Sequence, residues 1–277
     1  MGKRFLIGYG VDVDAVSGWI NTPDGTPTNP TDVSRAIFGA MFGIDRILKL
    51  WEKYNIKGTW FVPGHSLESF PKQLARVRDA GHEIQRPHGY THELLSTLSE
   101  QQQRDTAPSW STSPHSVKLI EYDHSFMHHD AQLYYLPDGS ATYTETDVSK
   151  PASHWMTPMS ALKPSKIVCV PENWHLDDWP PFTLALKQAS THGYVDTYLI
   201  ENLWKDMFTY LYREYDEFCF TITIHPQVSG KPQLVLMHER FIEWVNGHEV
   251  VEWSTMENMV KEFKEGRIQG ATVEGGV

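Results

Sequence analysis

The sequence predicts an α/β protein in which a mostly parallel sheet or barrel is surrounded by helices. Continuous apolar runs, typical of buried strands, alternate in the first part of the chain with segments whose apolar residues recur every three or four positions, as they do in helices. Several of the predicted strands end at acidic or histidine residues. In folds of this class the loops after the carboxyl ends of the strands carry the functional side chains.

The first elements alternate between strand and helix. They are, in order, a strand at 5–11, a helix from Asp32 to Asn55, a strand at 59–62, a helix from Ser69 to Ala80 and a strand at 82–84. The strand at 5–11 is predicted because the run is continuously apolar and closes at Gly10 and Asp12. The second helix is predicted to end at Gly81, a residue that commonly terminates helices.

The second half predicts further elements of the same kinds. They are a strand at 167–170, a helix at 200–215, a strand at 218–224 and helices at 234–245 and 255–264. Between them, residues 101–160 are poor in periodicity and rich in Ser, Thr, Pro, Asp and His, which predicts loops with short elements. We expect one domain over residues 1–277, with a mobile glycine-rich tail from about residue 267.

Composition excludes several classes of protein. Hydrophobic residues make up 40% and charged residues 21% of the chain, which excludes a disordered or fibrous protein. The net charge of −11 disfavours nucleic acid as a partner. No apolar run is long enough for a membrane helix and no secretory signal is visible, so we expect no membrane association and a cytoplasmic location. Cys169 and Cys219 lie in apolar runs and are expected to be buried free thiols.

Two histidines are candidate metal ligands. His88 and His92 are four residues apart, so in a helical turn both would face one divalent ion. Spacing alone is weak support, because capping or core histidines occur with the same separation. The pair needs a third ligand from elsewhere in the chain.

Two carboxylates can supply that ligand. Asp12 and Asp14 follow the first strand and, as alternate residues, project to the same side. A turn or a helix cap is the structural alternative, but two adjacent carboxylates without a cation would destabilise each other. One of them can bind a metal ion while the other accepts a proton.

His225 ends a predicted buried strand and precedes Pro226, which favours an extended backbone at the histidine. A histidine can deliver a proton at neutral pH, so it is a candidate general acid. A lone histidine can also be a satisfied structural residue.

Together these residues resemble the polysaccharide deacetylases, and the resemblance spans nearly the whole chain. Seven segments carry it, in chain order: Asp12-Val13-Asp14, Thr59-Trp60-Phe61-Val62-Pro63-Gly64-His65, Ala80-Gly81-His82-Glu83-Ile84 with His88-Gly89-Tyr90-Thr91-His92, Thr106-Ala107-Pro108-Ser109-Trp110, Glu121-Tyr122-Asp123-His124-Ser125, Asn173-Trp174-His175-Leu176-Asp177-Asp178, and Thr223-Ile224-His225-Pro226. Asp123-His124-Ser125 and Leu176-Asp177-Asp178 look most like the intracellular branch of the family, which contains a bacterial peptidoglycan deacetylase, cyclic-imide hydrolases and allantoinase-like relatives.

The resemblance implies a distorted (β/α) barrel and a metal-dependent hydrolase. It implies that Asp14, His88 and His92 hold a divalent ion, Zn²⁺ first, with Co²⁺, Mn²⁺ and Ni²⁺ as alternatives. Asp12 would be the general base and His225 the general acid. Trp110 and Trp174 would line the substrate pocket, and Asp177 or Asp178 would orient a histidine or the substrate. Core packing of either Trp and helix capping by either Asp are the structural alternatives.

Three functions are compatible with this resemblance. The leading one is N-deacetylation of an N-acetylated sugar, with a small molecule or an oligosaccharide as substrate. The second is hydrolysis of a cyclic imide or an allantoin-like ureide. The third is a catalytically silent binding protein, because Gln85-Arg86-Pro87 and Thr106 depart from the family's pattern. A homo-oligomer is compatible with such folds, and the sequence favours no particular symmetry.

Overall fold

The computed structural model describes residues 2–20, 28–85, 121–138, 147–184 and 191–271. Within these residues the strands are β1 (Arg4–Asp12), β2 (Thr59–Phe61), β3 (Glu83–Gln85), β4 (Tyr122–Asp123), β5 (Tyr134–Pro137), β6 (Pro164–Cys169), β7 (Glu217–Ile224) and β8 (Val251–Trp253). The helices are α1 (Ser17–Ile20), α2 (Pro30–Phe38), α3 (Ile44–Tyr54), α4 (Gly64–Ser69), α5 (Pro71–Asp79), α6 (Trp179–Phe182), α7 (Thr197–Glu214), α8 (Pro226–Ser229), α9 (Pro232–Val245) and α10 (Met256–Lys264). A π-helical turn, Gly39–Gly43, joins α2 to α3, and one-turn 3₁₀ helices lie at Ala152–His154, Met159–Ala161 and Trp174–Leu176.

The main sheet is parallel and has the order β3-β2-β1-β7. Strand β7 pairs with β1 along almost its whole length, from Arg4 opposite Glu217 to Val11 opposite Ile224. The other edge of β1 is shared, because β8 pairs with its amino-terminal half and β2 with its carboxyl-terminal end. The predicted α/β class with a parallel sheet is therefore confirmed.

Strand β1 is buried on both faces, which explains its continuous apolar sequence. Phe5, Ile7 and Tyr9 point into the larger core cluster beneath the helices. On the opposite face, a Cβ at Gly8 or Gly10 would come within 2.7 and 2.9 Å of the Cε atoms of methionines in α10. Small residues at these two positions let α10 pack directly on the strand.

A second sheet of three strands has the order β4-β6-β5. Strand β4 is parallel to β6, and β5 is antiparallel to it. The described parts of the segment 101–160 thus contain the short elements that the sequence predicts. The sheets meet where the Cys219 amide donates to the Ala131 carbonyl at 2.7 Å.

Residues 267–271, the last that the structure describes, make contacts that their composition does not predict. Residues 267–271, expected to begin a mobile tail, pack against the sheet. The Gln269 amide donates to Glu217 Oε2 at 2.6 Å, and the Ala271 amide donates to the Leu133 carbonyl at 2.8 Å. Ile268 is 3% exposed. The prediction was wrong for these residues because glycine content is local, whereas their order comes from contacts with distant strands.

The predicted helix from Asp32 to Asn55 is interrupted by the π-helical turn. A Cβ at Gly39 would lie 2.5 Å from the Gln227 amide nitrogen, and one at Gly43 would lie 2.2 Å from the Pro226 carbonyl oxygen. The turn and α8 therefore touch backbone to backbone. Since α8 directly follows His225, this contact fixes the chain beside a candidate site residue.

Cys169 and Cys219 are both buried free thiols, as predicted. Among the described residues, no helix is both long and apolar enough to cross a membrane.

An ion-pair group ties α10 to the start of β1. Glu262 accepts hydrogen bonds from Arg4 at 2.6 Å and from Arg267 at 2.7 and 2.9 Å. The hydrogen bonds from Arg267 and Arg4 lower the pKa of Glu262 to about 2.

We expect Glu262→Gln to destabilise the fold by about 1–3 kcal/mol at pH 7, the usual range for charged hydrogen bonds. A carboxyl group whose pKa is lower in the folded state stabilises above its unfolded pKa of about 4.5 and loses that contribution as the pH falls toward 2. Urea unfolding from pH 7 to pH 3 should therefore show the wild-type and variant midpoints converging at the acid end. A difference between the two midpoints that stays constant with pH would show that the loss of stability comes from packing.

We expect Gly43→Ala to destabilise the fold by about 1–3 kcal/mol through overpacking, although alanine favours helices elsewhere. The control is Ser34→Ala, on an exposed position of α2, which adds nothing to that contact. Thermal unfolding measures both variants. A Gly43→Ala protein as stable as wild type would mean that the two backbones can separate at no cost.

Candidate active site

The carboxyl ends of β1 and β7 bring three predicted site residues together. Asp12 is the last residue of β1, and His225 follows Ile224, the last residue of the paired strand. His225 Nε2 lies 3.8 Å from Asp12 Oδ2 and also 3.8 Å from Asp14 Oδ2. The structure therefore places both predicted catalytic residues and one predicted metal ligand at one point on the sheet edge.

The loop after β1 is held by hydrogen bonds to the Asp14 carbonyl. Ser17 Oγ donates to this oxygen at 2.6 Å and Ser66 Oγ donates at 2.8 Å. Ala15 adopts a left-handed backbone conformation with φ of 47°, which turns the chain sharply after the second aspartate. These contacts set the position of the Asp14 side chain relative to the strand end.

Asp178 orients His225. The His225 Nδ1 atom lies 2.8 Å from Asp178 Oδ1, and the His225 amide donates to both carboxylate oxygens at 3.0 and 3.1 Å. Asp178 is fully buried, and these contacts are the ones a residue that orients a histidine would make. Its expected roles in orienting a histidine or the substrate stay predictions.

Asp177 has a different environment. Its Oδ1 accepts a hydrogen bond from the amide of Trp179, the first residue of α6, at 2.7 Å, and it lies 3.7 Å from His225 Nδ1. Burial, with the charge of Asp178 nearby, raises the pKa of Asp177 to about 6, although His225 opposes this. Capping was one of the alternatives for this residue.

The charges around His225 favour its protonated form. Burial lowers the pKa of His225, but the hydrogen bond and charge of Asp178, together with Asp177 and Asp14, outweigh burial and raise it well above 6.5. Because Nδ1–H is committed to Asp178, the remaining proton sits on Nε2 and faces Asp12 and Asp14. A general acid needs this arrangement.

Asp12 is in the opposite electrostatic situation. Burial raises its pKa to about 8; His225 lowers it, whereas Asp14, Glu172 and Asp177 raise it further. Negative groups are thus crowded around a single histidine, and a divalent cation with carboxylate ligands would relieve the excess. The carboxyl groups around His225 at this edge of the sheet are therefore suitable ligands for a metal ion.

Sequence reasoning missed two residues of this site. Glu172 follows β6, and burial with the charge of Asp177 raises its pKa to about 7, although His225 lowers it. Trp179 lies with its ring centroid 4.9 Å from that of His225. Two signals in the sequence point to these residues. Glu172 follows the end of a predicted strand, and Trp179 comes directly after the two aspartates.

Trp174 is exposed, whereas the neighbouring His124 is held by hydrogen bonds. Trp174, a predicted pocket residue, lies in the 3₁₀ turn and is 66% exposed. His124 is held by both ring nitrogens, with Nδ1 2.8 Å from the Val170 carbonyl and Nε2 3.2 Å from Thr223 Oγ1. Burial lowers its pKa to about 4, so it is a neutral structural residue beneath the site.

His88, His92 and Trp110 lie outside the described residues. Their roles as metal ligands and as a pocket wall stay predictions.

Comparison with known proteins identifies the family. A polysaccharide deacetylase family model matches residues 41–111. The chain is 38% identical to a peptidoglycan deacetylase of Helicobacter pylori, over 95% of this chain and 97% of that protein. It is 34% identical to a peptidoglycan deacetylase-like protein of Gibberella zeae, over 94% of this chain and 87% of that protein.

The chain belongs to the polysaccharide deacetylase family. It is accordingly a hydrolase. The crystal structure of a Mycobacterium smegmatis protein assigned to the polysaccharide deacetylases superimposes with a TM-score of 0.74 at 23% identity, covering 99% of this chain and 94% of that one. This likeness confirms the predicted distorted barrel fold.

Polysaccharide deacetylases are metal-dependent, and one group of described residues has the spacing of a metal site. Asp177, Asp178 and His225 offer ligand atoms that lie within 4.8 Å of one another. However, Asp178 already accepts hydrogen bonds on both oxygens, and the nearest nitrogen of His225 donates to it. An ion there would have to break these bonds, whereas Asp14 lies near the other ring nitrogen of His225, Nε2.

Asp178→Asn keeps the size of the side chain but replaces one accepting oxygen by an NH₂ group. We expect kcat to fall by about 100-fold or more, because His225 loses the partner that fixes its tautomer. The matched control is Asp196→Asn, since Asp196 caps α7 on the surface and asparagine caps equally well. Steady-state kinetics would contradict this role if Asp178→Asn retained wild-type kcat.

Proposed function

We propose that this polysaccharide deacetylase removes the acetyl group from an N-acetylated amino sugar of the peptidoglycan or chitin type, in a metal-dependent reaction. The observation that carries the proposal is the position of His225 Nε2, 3.8 Å from both Asp12 and Asp14 at one strand edge. The similarity to a peptidoglycan deacetylase over nearly all of both chains supports the substrate class.

Hydrolysis of an amide needs a base, an acid and stabilisation of the developing oxyanion. Asp12 is placed to accept the proton of an attacking water. Burial raises its pKa, and the charge of a cation bound at Asp14 would favour the ionised carboxylate that a base needs. His225 carries its proton on Nε2 and gives it to the departing amine, while Asp178 holds the ring.

Asp14, with His88 and His92, would hold the divalent ion. Zn²⁺ is the first candidate, and Co²⁺, Mn²⁺ and Ni²⁺ are alternatives. When bound, such an ion polarises the amide carbonyl and makes water more acidic. The supporting observation is that Asp14 Oδ2 lies 3.8 Å from His225 Nε2 among an excess of carboxylates.

Substrate contacts are proposed on the surface around this edge. Trp110 and the exposed Trp174 would offer flat apolar faces to a sugar ring. Asp177, whose side chain is 14% exposed whereas that of Asp178 is fully buried, would contact the substrate.

We expect purified protein with added Zn²⁺ to release acetate from N-acetylglucosamine oligomers or peptidoglycan fragments and to leave one free amine per acetate. Asp14→Asn should lose bound metal and lower kcat by at least about 100-fold, whereas Asp206→Asn, on an exposed face of α7, should keep both. Acetate assay, amine labelling and plasma mass spectrometry measure these quantities.

Two outcomes would contradict the proposal. Ring opening of cyclic imides or ureides without acetate release would indicate a different hydrolase. Bound metal with no turnover of any amide would indicate a binding protein on this fold.

A further inference from the structure

A chain of buried hydrogen bonds continues behind Asp178, on the side away from the reacting groups. Ser229 Oγ donates to Asp178 Oδ2 at 2.5 Å, and the same Oγ lies 2.7 Å from His238 Nε2. The other ring nitrogen, His238 Nδ1, lies 3.3 Å from the Tyr9 hydroxyl. Four side chains from β1, the loop before α6, α8 and α9 are thus linked in a single line.

The donor and the acceptor of each hydrogen bond in this line are determined. A carboxylate only accepts, so Ser229 must donate its single proton to Asp178. Ser229 Oγ must then accept from His238, which places the ring proton on Nε2. The unprotonated Nδ1 accepts from the Tyr9 hydroxyl.

The protonation states agree with this direction. Burial lowers the pKa of His238 to about 4, although the charges of Asp178 and Glu201 oppose it, so the ring is neutral near pH 7. Burial also raises the pKa of Tyr9, which keeps its hydroxyl protonated.

These polar groups lie in an apolar part of the core. Ser229 and Tyr9 are fully buried and His238 is 2% exposed. The His238 ring packs against Trp204, with ring centroids 5.6 Å apart. Burying unpaired polar groups costs free energy, and apolar residues of similar size would fill the same space, so packing alone does not require this line.

We propose that Ser229, His238 and Tyr9 are positioning residues that fix Asp178, and through it the Nε2–H of His225, for proton donation to the leaving amine. The inference rests on the proposed deacetylase reaction. With Ser229 donating to Oδ2, Asp178 presents Oδ1 to His225 Nδ1 and cannot rotate without losing a bond.

The backbone around Ser229 is rigid enough for this role. The Ser229 amide donates to the His225 carbonyl at 2.8 Å, closing α8 directly onto the histidine. A Cβ on the next residue, Gly230, would lie 2.3 Å from the Cα of Gly43. The helix that carries Ser229 therefore has no room to shift.

The first test is kinetic. We expect Ser229→Ala and His238→Leu to lower kcat about tenfold, the effect of losing one oriented hydrogen bond, with KM and bound metal within twofold of wild type. His238→Gln, which keeps a donor toward Ser229, should recover most of that loss. Tyr9→Phe, at the far end of the line, should lower kcat only about twofold.

The matched control is Thr221→Val. Thr221 Oγ1 donates to the Pro171 carbonyl at 2.7 Å in the buried part of β7, outside the line. The variant should lose stability and keep kcat. If Ser229→Ala and His238→Leu behave like this control, or if their kcat falls only in proportion to lost metal, the positioning role is overturned.

The second test uses the wild-type protein and does not depend on catalytic activity. In ¹⁵N-histidine-labelled wild-type protein, His238 should appear as a neutral ring with its proton on Nε2 between pH 6 and pH 8. A neutral ring with its proton on Nδ1 would make Nε2 accept from Ser229, leave Asp178 without that donor and overturn the proposal. A wild-type protein without deacetylase activity but with this tautomer would instead contradict the proposed function.

Discussion

The parallel pairing of β1 with β7 is the constraint on which the site depends. Its register runs over nearly the whole of β1 and sets Val11 opposite Ile224. The residues that follow these two positions therefore emerge side by side, which brings Asp12 next to His225. A shift of one residue would turn every side chain of the strand to the other face and separate the two groups. Gly8 and Gly10 allow α10 to pack closely on this strand, because no Cβ projects from it at these two positions.

The second constraint is electrostatic. Carboxyl groups on three separate loops surround one histidine in a poorly solvated space. The fold tolerates them because Asp178 is compensated by hydrogen bonds from His225 and Ser229, and because the remaining acids are ligands suited to a cation. In the proposed reaction Asp12 and Asp178 would have different roles although they have the same side chain, Asp12 as the base and Asp178 as a fixed anion beside the acid.

Much of this could be predicted from the sequence. The buried strands were visible as apolar runs, and the rule that polar residues after strand ends form the site found Asp12, Asp14 and His225. The same rule applied to the end of β6 would have found Glu172. The very short β8 was not predictable, because its three residues have no periodicity of their own and become a strand only by pairing with β1. The π-helical turn also escaped prediction, since it results from contact with α8, far along the chain. The line from Ser229 to Tyr9 has no sequence signal, because its members come together only through tertiary packing.

The position of the divalent ion tests the central claim most directly. Anomalous diffraction from crystals of Zn²⁺-loaded protein, measured on both sides of the zinc absorption edge, would locate it. We expect one peak about 2.0–2.2 Å from an oxygen of Asp14, on the Nε2 side of His225, with the Asp178 hydrogen bonds intact. A peak between Asp177 and Asp178, on the Nδ1 side of His225, would contradict it and would require a different acid and a different base.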